Sequence, residues 1–145
     1  MLFVSGVTVH CQTFYGMGPY RVHREAPNVV TTNEYTWLRD NHLLFLDNPC
    51  GVGFSTVDPM HAARDQSTVA VQLYAAVQGF MRLHPEYADC PLYLFGESYG
   101  GKYVPSFAAY IESVQTSGNA GPPALNLKGA VVHAICFFRG AVLLL

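Results

Sequence analysis

Three compact apolar runs alternate along the chain with two stretches of helical periodicity. Leu43-Leu44-Phe45-Leu46, closed by Asp47, Asn48-Pro49 and the glycine-bearing loop Cys50-Gly51-Val52-Gly53-Phe54, predicts a buried strand. Val69, Leu73, Ala76, Val77, Phe80 and Met81 then mark one face of a helix over about Ala62 to Leu83, with Pro85 just past its end. Leu92 to Phe95 predicts a second strand. Tyr103 to Gln115 follows with Val104, Phe107, Ala108, Ile111 and Val114 at helical spacing. After the breakers Gly118 and Gly121-Pro122-Pro123, Leu127 to Phe138 is rich in Val, Ile and Phe and predicts a third strand. The order β-α-β-α-β implies a mostly parallel sheet with helices on its faces and right-handed crossovers. Thr8–Cys11 and Tyr20–His23 are short enough to add antiparallel strands at one edge.

Between the second strand and the second helix lies Gly96-Glu97-Ser98-Tyr99-Gly100, a Gly-x-Ser-x-Gly turn. Its two glycines, Gly96 and Gly100, remove side chains expected to clash where the backbone is strained, and this exposes the Ser98 hydroxyl as a nucleophile. The Tyr99 amide then falls at a helix N-terminus, where unpaired N–H groups and the dipole stabilise an oxyanion. Chance alone produces such a turn in roughly one chain in twenty of this composition, so the strand-turn-helix context carries the argument. Without that context the segment reads as a tightly packed βα turn. With it, the fold class is α/β, and more narrowly a partial α/β-hydrolase fold.

A serine hydroxyl needs a histidine to take its proton and a carboxylate to orient that histidine. From Tyr99 to Leu145 there is no aspartate, one glutamate (Glu112) and one histidine (His133). Glu112 lies far along the helix that starts at the turn, roughly 20 Å from Ser98 at the α-helical rise. His133, inside the third strand, is expected to sit below the catalytic edge. Neither fits the role of partner, so this chain is expected to hold a nucleophile's seat without its acid and base.

Composition narrows the alternatives. The 145 residues are half apolar and 12% charged, enough for one folded domain and too apolar for disorder. A formal net charge of −2 offers no basic face for nucleic acid. Six histidines lack metal-ligand spacing, and Cys11, Cys50, Cys90 and Cys136 form no Cys-x-x-Cys pair, so no metal site, zinc site or thioredoxin-like motif is indicated and any disulfide pairing is unassigned. No cofactor is expected. The first ten residues lack the basic and apolar regions of a signal peptide, and the apolar tail from Ala134 is too short and interrupted to span a bilayer. There is no internal repeat, low-complexity segment or glycosylation sequon.

Several runs together resemble the serine carboxypeptidases, α/β-hydrolase peptidases that remove single residues from peptide C-termini in acidic secretory or lysosomal compartments. These are Gly18-Pro19-Tyr20, Asn33-Glu34-Tyr35-Thr36-Trp37, Asp47 through Ser55, Phe95 through Pro105, and Leu127-Lys128-Gly129-Ala130, in the family's order. They cover residues 18–130 of a single incomplete domain spanning 1–145, with divergent ends at 1–15 and 131–145. The resemblance implies that Ser98 is the nucleophile, that Tyr99 gives one oxyanion amide, and that Glu97 helps recognise the substrate's terminal carboxylate. Two carboxyl groups can share a site only if one holds a proton, which suits an enzyme of acid compartments. Asp47 and Asn48 are expected to fix their loop rather than touch substrate.

The departures weigh equally. The family's Asn-Gly-Gly-Pro-Gly loop, which supplies the second oxyanion donor, has no counterpart upstream of Gly18, and the place of a second carboxylate-binding glutamate is Gly16. Past Ala130 the sequence leaves the family pattern before the region of its aspartate and histidine. A peptide or protein C-terminus is the expected partner, with no nucleic acid and no membrane. Activity of the isolated chain is expected to be absent. A non-catalytic binding or interaction fragment that retains the half-domain is the alternative. A lipase- or esterase-like hydrolase is disfavoured by Glu97 and the Pro49–Ser55 run. An open edge at the third strand, with Phe137, Phe138 and Leu143 to Leu145 beyond it, exposes the chain to self-association.

Overall fold

An aspartate sets where the first helix begins. The computed structural model describes residues 16–23 and 25–133. Helix α1 spans Gln66–Leu83, four residues shorter than its periodicity suggests, because Asp65 adopts an extended cap conformation and accepts from the Thr68 amide at 2.7 Å and the Ser67 hydroxyl at 2.6 Å. Upstream, Pro59–His61 forms a separate 3-10 turn capped by Asp58. Helix α1 ends at His84, whose amide bonds Phe80 O, and Pro85 opens another 3-10 turn. Val69, Leu73, Val77 and Met81 are buried as the pattern requires, but Ala76 is exposed and Phe80 half-buried. A parallel row of Ala70, Tyr74 and Gln78 completes the inner face instead.

Strand β3 (Leu92–Glu97) and strand β4 (Leu127–His133) pair in parallel, joined by helix α2 (Gly100–Thr116). Leu92, Leu94 and Gly96 are buried while Tyr93, Phe95 and Glu97 are half-buried, the period of two that a sheet covered on one face demands. Helix α2 packs on both strands through Tyr103, Val104, Phe107, Ala108 and Ile111, and α1 packs along α2. Phe107, Met81, Leu92, Leu94 and Ile111 are the heart of this core.

The stretch 43–47 is not a strand among the described residues; it joins no sheet. Leu44 and Leu46 pack against the core, so its apolar pattern reports burial. Tyr20–His23 is a strand, here β1, but it pairs antiparallel with an unanticipated strand, β2 (Ala26–Thr32), as a separate hairpin rather than at the edge of the parallel sheet. The sequence hides β2 because it is largely exposed and carries a proline, Pro27. Thr8–Cys11, the segment 134–138 and the cysteines Cys11 and Cys136 lie outside the described residues; Cys50 and Cys90 are free thiols.

A buried amide ties the helices to the connection before β4. Gln78 Nε2 donates toward Ala120 O at 2.7 Å, with Pro123 O at 3.2 Å and Gly121 O at 3.3 Å alongside, and Tyr74 Oη donates to Ala120 O at 2.6 Å. Arg82 reaches Pro122 O and the Gln78 side-chain oxygen. Four consecutive carbonyls of the glycine-proline loop are thus turned onto one face of α1.

Candidate active site

Strand β3 ends at Glu97, α2 starts at Gly100, and Ser98 turns the chain between them in the left-handed region, at φ 56°. It is the sole non-glycine residue of positive φ among those described, a conformation that costs about 1–2 kcal/mol for an L-residue. The turn is held by the Gly101 amide bonded to Ser98 O at 3.0 Å and the Lys102 amide bonded to Tyr99 O at 2.9 Å. Ser98 is exposed at the carboxyl end of the parallel pair.

The flanking glycines prove unequal. A Cβ on Gly96 would stand 2.7 Å from Val104 Cγ2 and 2.8 Å from Gly100 O, so the strand and the first turn of α2 meet there only because the side chain is missing. A Cβ on Gly100 would meet nothing within 4 Å, which corrects the expectation that both glycines relieve a clash. Tyr99 occupies the N-cap of α2, at the end where helix amides lack intrahelical acceptors. Its ring packs against Tyr103 at 5.0 Å between centroids, with Lys102 Nζ 4.9 Å from its centre. Burial, followed by the neighbouring Tyr99, pushes the Tyr103 phenol above its ordinary value, so it stays a neutral hydroxyl.

Glu97 is half-buried, and its backbone pairs with His133. That register corrects one expectation: His133 is the last residue of β4, level with the strand end that precedes Ser98, rather than below it. Glu112 is exposed in the last part of α2.

Two further runs form the ground around the turn. The Asp47 carboxylate accepts from the Phe54 amide at 2.8 Å, and its carbonyl accepts from the Ser55 hydroxyl at 2.7 Å. Gly53, at φ 59°, leaves the carboxylate its place, since a Cβ there would fall 2.3 Å from Asp47 Oδ2. Asp47 therefore locks the loop, as expected. Asn48 is buried, at 4% exposure, and makes no hydrogen bond through Nδ2, so no loop-fixing bond comes from that atom. Pro49 and Tyr99 border one cleft of about 410 Å³ together with Asp65, Gln66 and Tyr103.

Sequence reading passed over the role of Asn33. This side chain, 3% exposed, donates to both Gly16 O and Gly18 O at 2.9 Å and accepts from Arg21 Nε at 3.0 Å and the Tyr35 amide at 3.1 Å. Thr36 Oγ1 and the Trp37 amide both donate to Met17 O, and Trp37 meets Phe95 of β3 edge-on at 5.1 Å. The Gly-Pro-Tyr and Asn-Glu-Tyr-Thr-Trp runs are thus one clamp, fixed to the strand that ends at Ser98. The signal was a lone asparagine opening a motif, which composition does not distinguish from a turn residue. No group of three metal-ligating side chains exists among the described residues, and no described helix is long and apolar enough to cross a membrane.

A strand that turns through a left-handed serine into a helix, beside a parallel neighbour, defines part of an α/β hydrolase. Kex1(delta)p, a prohormone-processing carboxypeptidase from Saccharomyces cerevisiae, superposes with a TM-score of 0.79 at 24% identity, over 90% of this chain and 29% of that one, and supports this fold. The sequence profile described as serine carboxypeptidase matches residues 9–136, and the chain belongs to that family. Among its relatives are a probable serine carboxypeptidase CPVL of Dictyostelium discoideum, 37% identical over 85% of this chain, and serine carboxypeptidase-like 50 of Arabidopsis thaliana, 40% identical over 82%. This chain spans about a quarter of their length, 24% and 26% respectively.

Proposed function

We propose that this chain is the nucleophile-bearing portion of a serine-type carboxypeptidase that hydrolyses the last peptide bond of a peptide or protein. The observation that carries the reading is Ser98 at φ 56°, exposed between β3 and α2. In the proposed reaction Ser98 Oγ attacks the scissile carbonyl carbon and its proton passes to a base. The carbonyl oxygen takes the negative charge and is stabilised by the Tyr99 amide. Collapse expels the C-terminal amino acid, which leaves with that proton, and water then hydrolyses the acyl-serine. Glu97, next to the nucleophile, is the proposed partner of the substrate's terminal carboxylate. A secretory or lysosomal compartment fits such a pairing.

No aspartate follows Ser98 in this chain, so a histidine there would have no aspartate to orient it. The 145-residue chain alone is therefore proposed to be inactive, with its base and acid supplied by the remainder of a longer product. The same observation favours a second reading, a binding or interaction fragment that keeps the half-domain as a scaffold.

Reaction with a fluorophosphonate tests both, since labelling requires an activated serine and no substrate recognition. The folded chain is expected to stay unlabelled, while a longer product that contains it labels at Ser98 and loses the label in Ser98→Ala. Labelling of the 145-residue chain that disappears in both Ser98→Ala and His133→Ala would overturn the proposed inactivity and make His133 the base. A longer product that cleaves no peptide C-terminus would overturn the carboxypeptidase reading.

A further inference from the structure

The cleft of about 410 Å³ beside Tyr99 opens between the N-terminus of α1 and that of α2, on the helix side of the Ser98 turn. Pro49, Val69 and Tyr99 wall it, and Arg64 and Tyr103 bring hydrogen-bond donors to it. Tyr103 is 8% exposed, with its ring packed on that of Tyr99, yet its hydroxyl bonds no group among the described residues. Nor is that hydroxyl shut away from solvent, as the Nδ2 of Asn48 is. A buried tyrosine normally finds a partner for its hydroxyl, so an unpaired one that meets a cleft marks a place for a ligand's acceptor. Burial also keeps this phenol protonated, in its donor form. Arg64 is exposed and forms neither a hydrogen bond nor an ion pair among the described residues. The one acid that lines the cleft, Asp65, has its Oδ1 committed to the Thr68 amide and the Ser67 hydroxyl. A guanidinium and a phenol hydroxyl on one cleft are together best satisfied by a carboxylate, which accepts from both.

The alternation of β3 assigns the part of a substrate that would lie here. Gly96 faces Val104 of α2, so Glu97 turns to the other face of the sheet. The cleft is on the helix face, across the nucleophile from Glu97. A peptide whose terminal carboxylate sits at Glu97 therefore sends the residues that precede the cleaved bond toward Arg64 and Tyr103. We propose that this cleft is a subsite for an acidic side chain upstream of the scissile bond, with Arg64 the residue that selects it and Tyr103 its second donor. The inference rests on the carboxypeptidase reading and narrows its substrates to peptides with aspartate or glutamate shortly before the C-terminal residue.

Hydrolysis by the longer product that contains this chain tests it, on peptides that differ only in glutamate or glutamine at the penultimate position or the one before it. At about pH 6 the glutamate is ionised. At one of the two positions its peptide is expected to show a kcat/KM about tenfold above that of the glutamine twin. Arg64→Ala and Tyr103→Phe each lower that ratio, Arg64→Lys retains part of it, and Arg64→Glu brings it below one. Each ratio is taken within one variant, so a general loss of stability does not move it. Equal turnover of the two peptides would overturn the subsite and leave the carboxypeptidase reading intact. A glutamate preference that Arg64→Ala leaves untouched would do the same. Turnover of neither peptide would overturn both.

Discussion

Ser98 and its two glycines show how unequal three positions in one motif are. The Gly96 Cβ site lies against both the Val104 side chain and the Gly100 backbone, and backbone cannot be moved cheaply. Gly96→Ala is therefore expected to destabilise by about 1–3 kcal/mol, read as a lower urea midpoint at unchanged slope. Gly100→Ala, with open space at its Cβ and a place in the first turn of α2, is expected to stay within about 0.5 kcal/mol of the parent or to gain slightly. The spacing of the motif made Ser98, Gly96 and Tyr99 legible without a structure. It could not rank the glycines, because their difference is set by Val104, a helix turn later. Asn33 was illegible as a clamp for a related reason. Its partners at Gly16, Gly18 and Arg21 come from the far side of a hairpin that the sequence conceals.

At the scale of elements, caps and anchors corrected what periodicity proposed. The Ser67 hydroxyl first, then the Thr68 amide, hold the Asp65 carboxyl below its ordinary value of 3.8, since both bond its charged form. A depressed value means that the cap's contribution is complete above pH 3.8 and is lost as pH falls through the lower folded value. Asp65→Asn is thus expected to destabilise α1 at pH 7 and to approach the parent as pH falls through the depressed value of the parent's carboxyl, in denaturation curves run across the acid range. Gln78 anchors the other side of the same helix. Gln78→Leu keeps the volume but strips the loop carbonyls at 121 and 123 of this donor and leaves Ala120 O only its Tyr74 hydroxyl, and is expected to cost about 1–3 kcal/mol and lower the melting temperature. Both helices and both parallel strands were legible because their apolar faces repeat with a clear period. Residues 43–47 were not, since a continuous apolar run specifies burial but leaves the presence of a ladder to whatever lies beside it.

At the scale of the molecule, burial among the described residues is concentrated in α1, α2, β3 and β4, while β1 and β2 form an exposed hairpin held at its base by Asn33. Native-state hydrogen exchange should therefore divide the chain in two. Amides of β3 and the middle of α2 should exchange at the global unfolding rate, and those of the hairpin many times faster through local opening. Uniform protection across both would show that the hairpin is cooperative with the core. Removing the largest wholly buried side chain among the described residues, in Phe107→Ala, is expected to cost about 3–5 kcal/mol, a large share of what a chain of this size has, and to broaden or abolish the thermal transition. The parallel architecture could be read from alternation of strand and helix. The standing of the hairpin as a separate two-stranded sheet could not, because its residues carry no apolar face to betray a partner.

The left-handed serine also bears on how such a chain would drift over generations. Glycine occupies that conformation freely, so Ser98→Gly should melt above Ser98→Ala by the equivalent of about 1 kcal/mol, although both lack the hydroxyl. A lineage released from hydrolysis would find glycine at this position the easiest stabilising step open to it. Among natural variants of this chain, the ratio of serine to glycine at position 98 becomes a record of whether selection still asks for a hydroxyl there.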